Sequence, residues 1–218
     1  MENKFLEIRS TDSIARKVLV TVLIGISLKF VTLLYDYYFG VFYITQSSGN
    51  QNSIIEIILD LCLFTVLIEE LGFRYFLFQS EFKKYLVSIS FVSSIIVVKF
   101  MGGFYNGDHD LLINDLIKIS LGLTIYALLS LIIIRRGEKR ISFKKSISQI
   151  FISSLIFGIL HLNFENTNLI QDILYVIPIF VLGILLSVVR IKLGFGYSIL
   201  LHSTYNAIAS ISLLWLIQ

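Results

Sequence analysis

The chain has 218 residues, of which 56% are hydrophobic and only 15% charged, with a formal net charge of +3. Soluble domains of this length hold about 25% charged and 45–50% apolar residues, and here the excess lies in long blocks with a mean hydropathy of +0.84. A soluble globular enzyme, a nucleic-acid-binding module and a disordered chain are excluded on these grounds.

A helix that crosses the hydrocarbon core needs about 20 mostly apolar residues, since each rises about 1.5 Å through about 30 Å of lipid. Stretches of this kind lie at roughly 18–34, 53–78, 85–102, 112–134, 146–164, 171–190 and 195–217. The alternating segments that mark a membrane β-barrel are missing, and backbone groups in lipid must be satisfied internally. The sequence therefore predicts an all-α, polytopic membrane bundle of about seven transmembrane helices. Residues 1–17 read as a polar cytoplasmic segment ahead of a single transmembrane domain, 18–218. No small-residue cleavage site follows the first apolar run, which reads as an anchor and not as a removed signal peptide. The single cysteine, Cys62, lies in an apolar run, which leaves no disulfide framework and no cysteine-based metal site.

Basic residues orient the bundle. Lys4, Arg9, Arg16 and Lys17 precede the first span, and Lys83 and Lys84 lie between the second and third. Arg135, Arg136, Lys139, Arg140, Lys144 and Lys145 separate the fourth from the fifth, and Arg190 and Lys192 the sixth from the seventh. The alternate loops, near 35–52, 103–111 and 165–170, contain no Lys or Arg. Fourteen of the 18 basic residues thus fall on one side and none on the other. Since basic loops stay cytoplasmic, the N-terminus is expected inside and the C-terminus outside. The loop 135–145 reads as an orienting segment in contact with anionic lipid.

Ionisable groups within spans are costly and face a cavity or a partner. Lys29 and Lys99 lie near span ends, where a long side chain can snorkel. Glu56 and Asp60 share a face near the outer end of the second span and read as rim residues, and Asp115 can pair with Lys118. Glu69, Glu70 and Arg74 are harder to dismiss. Glu70 and Arg74 are four apart and can pair along one face. Glu69 is rotated by about 100° from Glu70, so one acid remains available, either as a general base or as part of a structural cluster.

Of three histidines, His109 lies in an outer loop and reads as solvated. His161 ends the fifth span four residues after Phe157. His202 lies in the seventh span four residues before Asn206, so the two share a helical face with Tyr205 beside them. Imidazole is the side chain best suited to proton transfer near neutral pH.

Together, Glu69-Glu70-Leu-Gly-Phe-Arg74, Phe157-Gly-Ile-Leu-His161 and His202-Ser-Thr-Tyr-Asn206 read as EExxxR, FxxxH and HxxxN in that order on separate spans. The set resembles the CPBP family, also called Abi, which comprises CAAX prenyl endopeptidases and bacterial bacteriocin-processing or immunity proteins. The resemblance implies an intramembrane glutamate-dependent endopeptidase in a membrane, with a bacterial plasma membrane as the expected location. It implies that Glu69 activates a water that His161 helps to bind. His202 and Asn206 would stabilise the oxyanion, Glu70 paired with Arg74 would hold the cluster in shape, and Phe157 would be packing. Its substrate would be a membrane-associated protein or peptide in the lipid bilayer, with no nucleic acid as partner. In many members the second motif follows the first by one helix; here the third and fourth spans intervene. The span boundaries also leave His161 roughly 15 Å further out than Glu70 and His202.

No cofactor is expected. Three other readings compete: a zinc-dependent version in which two His and a Glu ligate the metal, a non-catalytic immunity or scaffold protein that keeps the fold, and a proton-coupled transporter. HExxH is absent, as is clear repeat symmetry.

Overall fold

In the computed structural model the described residues are 2–39, 60–77, 81–102, 111–135, 147–162 and 169–217, and every regular element among them is helical. In chain order these are α1 (Glu2–Phe39), a π-helical turn (Asp60–Phe64) that runs into α2 (Thr65–Phe73), α3 (Phe82–Gly102), α4 (Leu111–Arg135), α5 (Ile147–Ile159), α6 (Leu169–Lys192) and α7 (Phe195–Ile217). Glu56, His109 and most of the loops that carry the basic residues lie outside the described residues, as does the Asp60 side chain.

Among the described residues, three stretches are long and apolar enough to cross a membrane: Ser13–Tyr35, Asp115–Ile132 and Ile170–Lys192. Their outer faces carry exposed apolar side chains, among them Phe30 and Val31 on α1 and Leu128 and Leu131 on α4. Such surface is unfavourable against water and costs nothing against acyl chains. The helical membrane bundle read from hydropathy is therefore the architecture observed. α1 is continuous, so the polar N-terminal segment and the first span belong to one helix.

The second and fifth spans differ from expectation, and both differences bear on the site. The second span is not one straight helix. Its π-helical turn widens the coil before α2, which ends after nine residues. The N–H groups of Arg74 and Tyr75 both donate to Glu70 O at 3.0 Å, so the chain unwinds there. This short helix packs against α3, α4, α5 and α7, which puts the carboxylate-bearing turn at the centre of the bundle.

α5 has 13 residues, about 20 Å of helix, where crossing the hydrocarbon needs about 30 Å. It tightens as it ends: His161 N–H donates to Gly158 O at 2.9 Å and Leu162 N–H to Ile159 O at 3.0 Å. The final carbonyls of a helix lack intrahelical donors, and Lys99 supplies them, its Nζ donating to Leu160 O and, at 2.7 Å, to Leu162 O. Lys99 is thus a cap on a neighbouring helix, not a side chain snorkelling to the interface. Lys29 does not snorkel either; it is 9% exposed and lies over the Tyr205 ring at 4.9 Å. Asp115 and Lys118 do pair, at 2.5 Å.

α6 and α7 are joined by a tight turn at Gly194, whose φ of +116° is accessible at little cost only to glycine. Its N–H reaches back to Val189 O at 3.3 Å, as in the common glycine-terminated helix end. The two helices consequently lie side by side, with Leu182, Leu186, Val189, Leu201 and Tyr205 forming a buried core. Hydroxyls within the helices, such as Thr21, Ser90 and Ser187, bond to carbonyls of their own preceding turn, which removes the cost of an unpaired polar group in an apolar interior.

Candidate active site

Four of the side chains singled out in the sequence meet around one point. Glu69 and Glu70 follow one another on α2, and their side chains diverge as the helical rotation requires. Glu70 is fully buried. Its Oε1 lies 3.4 Å from Arg74 Nη1 and 3.0 Å from His202 Nδ1, and its Oε2 accepts from Ser198 Oγ. Arg74 has no other carboxylate partner among the described residues. It is also fully buried, with its guanidinium 4.0 Å from the centre of the Phe157 ring and 5.5 Å from that of Phe73. Glu69 is left to face open space. Its Oε1 is 3.7 Å from His161 Nε2 and its Oε2 is 3.4 Å from His202 Nε2.

His202 is therefore held from both sides. An ionised carboxylate only accepts, so the 3.0 Å contact to Glu70 assigns a proton to Nδ1. Nε2 is then directed at Glu69. His161 is oriented in the same manner by backbone: its Nδ1 is 2.8 Å from Phe157 O, which accepts, and Nε2 points at Glu69. Phe157 packs edge-on against both imidazoles, with ring centroids 4.6 Å from His161 and 5.9 Å from His202. One aromatic ring thus braces two histidines and covers the arginine.

The 15 Å offset expected for His161 is absent. It came from treating 146–164 as a full-length span. Because α5 stops at Ile159 and Lys99 holds its end, His161 sits at the depth of Glu69.

Asn206 lies one turn beyond His202. Its Nδ2 donates to Leu61 O at 2.9 Å, a carbonyl of the π-helical turn. The amide has a second N–H, and the residue lines the same cavity as Glu69, His161 and His202. This cavity has a volume of about 270 Å³, and its walls include Lys29 and Thr32 of α1, Thr65 of α2 and Tyr175 and Pro178 of α6. A second cavity of about 310 Å³ touches the opposite side of Glu69 and His161, between α3, α4 and α5. Glu70 borders neither cavity.

Several contributors escaped the sequence reading. Ser198 lies four residues before His202, on the same face, and that spacing was the available signal. Ser153, which donates to Phe73 O at 2.5 Å, and Ser203, which donates to Cys62 O at 2.6 Å, satisfy carbonyls freed by the two irregular ends of the second span; nothing local marks them. Gly183 allows α5 and α6 to close over Arg74, since a Cβ there would lie 3.0 Å from Ser154 Cβ and 3.3 Å from Arg74 Nη2.

Among the described residues, no three His, Cys, Asp or Glu side chains are arranged to hold a metal ion. Glu69 and the two imidazoles border the cavity of about 270 Å³.

No curated protein and no solved structure matches the chain. A sequence model described as type II CAAX prenyl endopeptidase Rce1-like matches residues 51–208. The match covers most of the chain and spans all three motifs, while α1, which contributes Lys29 and Thr32 to the cavity wall, precedes it. The protein is an integral membrane member of the Rce1-like type II CAAX prenyl endopeptidase family.

Proposed function

We propose that this protein hydrolyses a peptide bond of a membrane-associated protein or peptide, with Glu69 as the general base. The supporting observation is the division of labour between two adjacent acids. Glu70 is saturated by Arg74, His202 and Ser198, whereas Glu69 borders the cavity between two imidazoles. A base needs contact with the water it activates; a group that only holds others in place does not.

In this reading a water lies between Glu69 and His161. Glu69 takes one of its protons as the oxygen attacks the carbonyl carbon. The carbonyl oxygen becomes an oxyanion, met by the second Nδ2 hydrogen of Asn206 and by Nε2–H of His202 when that nitrogen is protonated. Fixed donors in an apolar site stabilise such charge strongly because they need no reorganisation. Collapse of the intermediate breaks the C–N bond, and Glu69 returns its proton to the leaving amine. Glu70 and Arg74 touch no substrate and position His202.

The test is a comparison of peptides released from membranes containing the wild type, Glu69→Ala, His202→Ala or no protein. Fragments unique to the wild type support the proposal. If no fragment depends on the protein, and Glu69→Gln folds and leaves the cellular phenotype unchanged, the protein acts as a scaffold or immunity factor. Activity abolished by chelators and restored by zinc would replace the glutamate mechanism with a metal-dependent one.

A further inference from the structure

We propose that Thr65 contacts the substrate: its hydroxyl accepts a hydrogen bond from a backbone N–H of the bound peptide, about two residues from the bond that is cut, and Asp115 is the positioning residue that makes this hydroxyl an acceptor. The inference deepens the endopeptidase reading and rests on it.

Asp115 is a buried charge that hydrolysis by Glu69 does not use. It lies on α4 and is 1% exposed. A carboxylate buried in a membrane bundle is costly, adds little stability even when paired, and so points to a function. Its Oδ1 takes Lys118 Nζ at 2.5 Å, and its Oδ2 accepts from Thr65 Oγ1 at 2.8 Å. Thr65 opens α2 and lines the cavity of about 270 Å³ with Glu69 and Asn206, whereas Asp115 does not border it. Asp115 thus reaches that cavity through the Thr65 hydroxyl.

The bond is unlike those of other threonines in the bundle. Thr21, Thr32, Thr124 and Thr204 each donate to the carbonyl four residues back on their own helix. Thr65 instead directs its proton to a carboxylate 50 residues away in sequence. A hydroxyl has one O–H and two lone pairs, and an ionised carboxylate only accepts. Toward the cavity Thr65 therefore presents lone pairs alone, and the group that fits them is an N–H.

A peptide backbone supplies one. Much of the cavity wall is apolar, including Leu61, Ile179 and Leu182, and an N–H without an acceptor is costly in such surroundings. Thr65 lies four residues before Glu69, on the same face and about 6 Å away along the helix. An extended peptide advances about 3.3 Å per residue, which sets the N–H about two residues from the carbonyl attacked beside Glu69. Asn206 offers a donor to a carbonyl and Thr65 an acceptor to an N–H, so the pair reads backbone and excludes a proline at the Thr65 position.

Ester scanning tests this. The probe is the peptide acetyl-Ala-Leu-Val-Phe-Ala-amide, with each internal amide N–H replaced in turn by an ester oxygen, which removes one donor and keeps the shape. Binding is measured to the full-length protein carrying Glu69→Gln, in detergent. One ester is expected to bind about tenfold more weakly than the parent peptide. Adding Thr65→Val should abolish that difference, and Thr65→Ser should keep it. In Asp115→Asn, with Lys118 held by the amide oxygen, the amide N–H faces Thr65 and turns its O–H to the cavity. The same ester should then bind as well as the parent or better, whereas a bond that merely joined α2 to α4 would weaken all the peptides alike. Equal binding of every analogue, a loss that persists in Thr65→Val, or no binding at all overturns the proposal. Hydrolysis of the parent peptide by the wild type without a position-specific loss defeats the Thr65 contact and leaves the endopeptidase intact. A position-specific loss without hydrolysis does the reverse.

Discussion

His202 and Glu70 are joined by a 3.0 Å contact between Nδ1 and Oε1, and both are all but sealed from solvent. The opposite nitrogen of the same ring lies 3.4 Å from Glu69. A histidine on α7 therefore links a buried, saturated acid to one that borders a cavity, and the two acids should respond differently to the same substitution.

Glu69→Gln removes the base and leaves the packing intact, so it should lower peptide hydrolysis by about 10²–10⁴-fold with little change in stability. Glu70→Gln should unfold more readily, because losing one partner of a buried ion pair costs about 3–5 kcal/mol. Thermal unfolding in detergent beside the activity assay separates the two. Equal thermal losses would show that the acids do not differ in role.

Ser198→Ala leaves Glu70 Oε2 without its hydroxyl donor. An unsatisfied buried acceptor costs about 1–3 kcal/mol, so this variant should melt earlier than the wild type. Its kcat should fall with KM nearly unchanged, since Ser198 does not border the cavity. A change confined to KM would argue that Ser198 contacts substrate.

Lys99→Met should release the end of α5, because the carbonyls of Leu160 and Leu162 lose their donor. His161 then loses its fixed position near Glu69. The expected result is a lower kcat, partly recovered by Lys99→Arg, with amide hydrogen exchange rising at residues 159–162. Unchanged exchange in Lys99→Met would show that α5 ends there without help.

Gly183→Val would drive a branched side chain into Ser154 and the Arg74 guanidinium. Overpacking of this kind costs about 1–3 kcal/mol, and here it also displaces the partner of Glu70. Loss of stability should exceed that of Gly158→Ala, whose added Cβ would press on the tip of Val176, 3.1 Å away, and meet Phe180 Cβ at an ordinary 3.5 Å. The reverse order would mean that the α5–α6 contact is looser than the packing indicates.

Hydropathy alone was enough to recognise a helical membrane protein. Apolar runs long enough to cross lipid leave the backbone no other way to satisfy its own polar groups. Local spacing was also enough to pair Glu70 with Arg74 and to set His202 and Asn206 on one face, because residues four apart on a helix are neighbours wherever that helix sits. What spacing could not convey is where a helix stops. α5 ends within the hydrocarbon thickness because a lysine 61 residues away in sequence caps it, and α2 unwinds at Arg74 because its last carbonyls find partners on α3 and α5, Ser88 to Leu71 O and Ser153 to Phe73 O. Those long-range bonds, invisible in any local window, bring His161 level with Glu69. The kinds of groups and their local pairing were thus legible in the chain itself. Their common depth, and the assignment of one acid to the packed interior and the other to the cavity, came from tertiary packing, where burial and partners beyond the helix decide which charge can be left open.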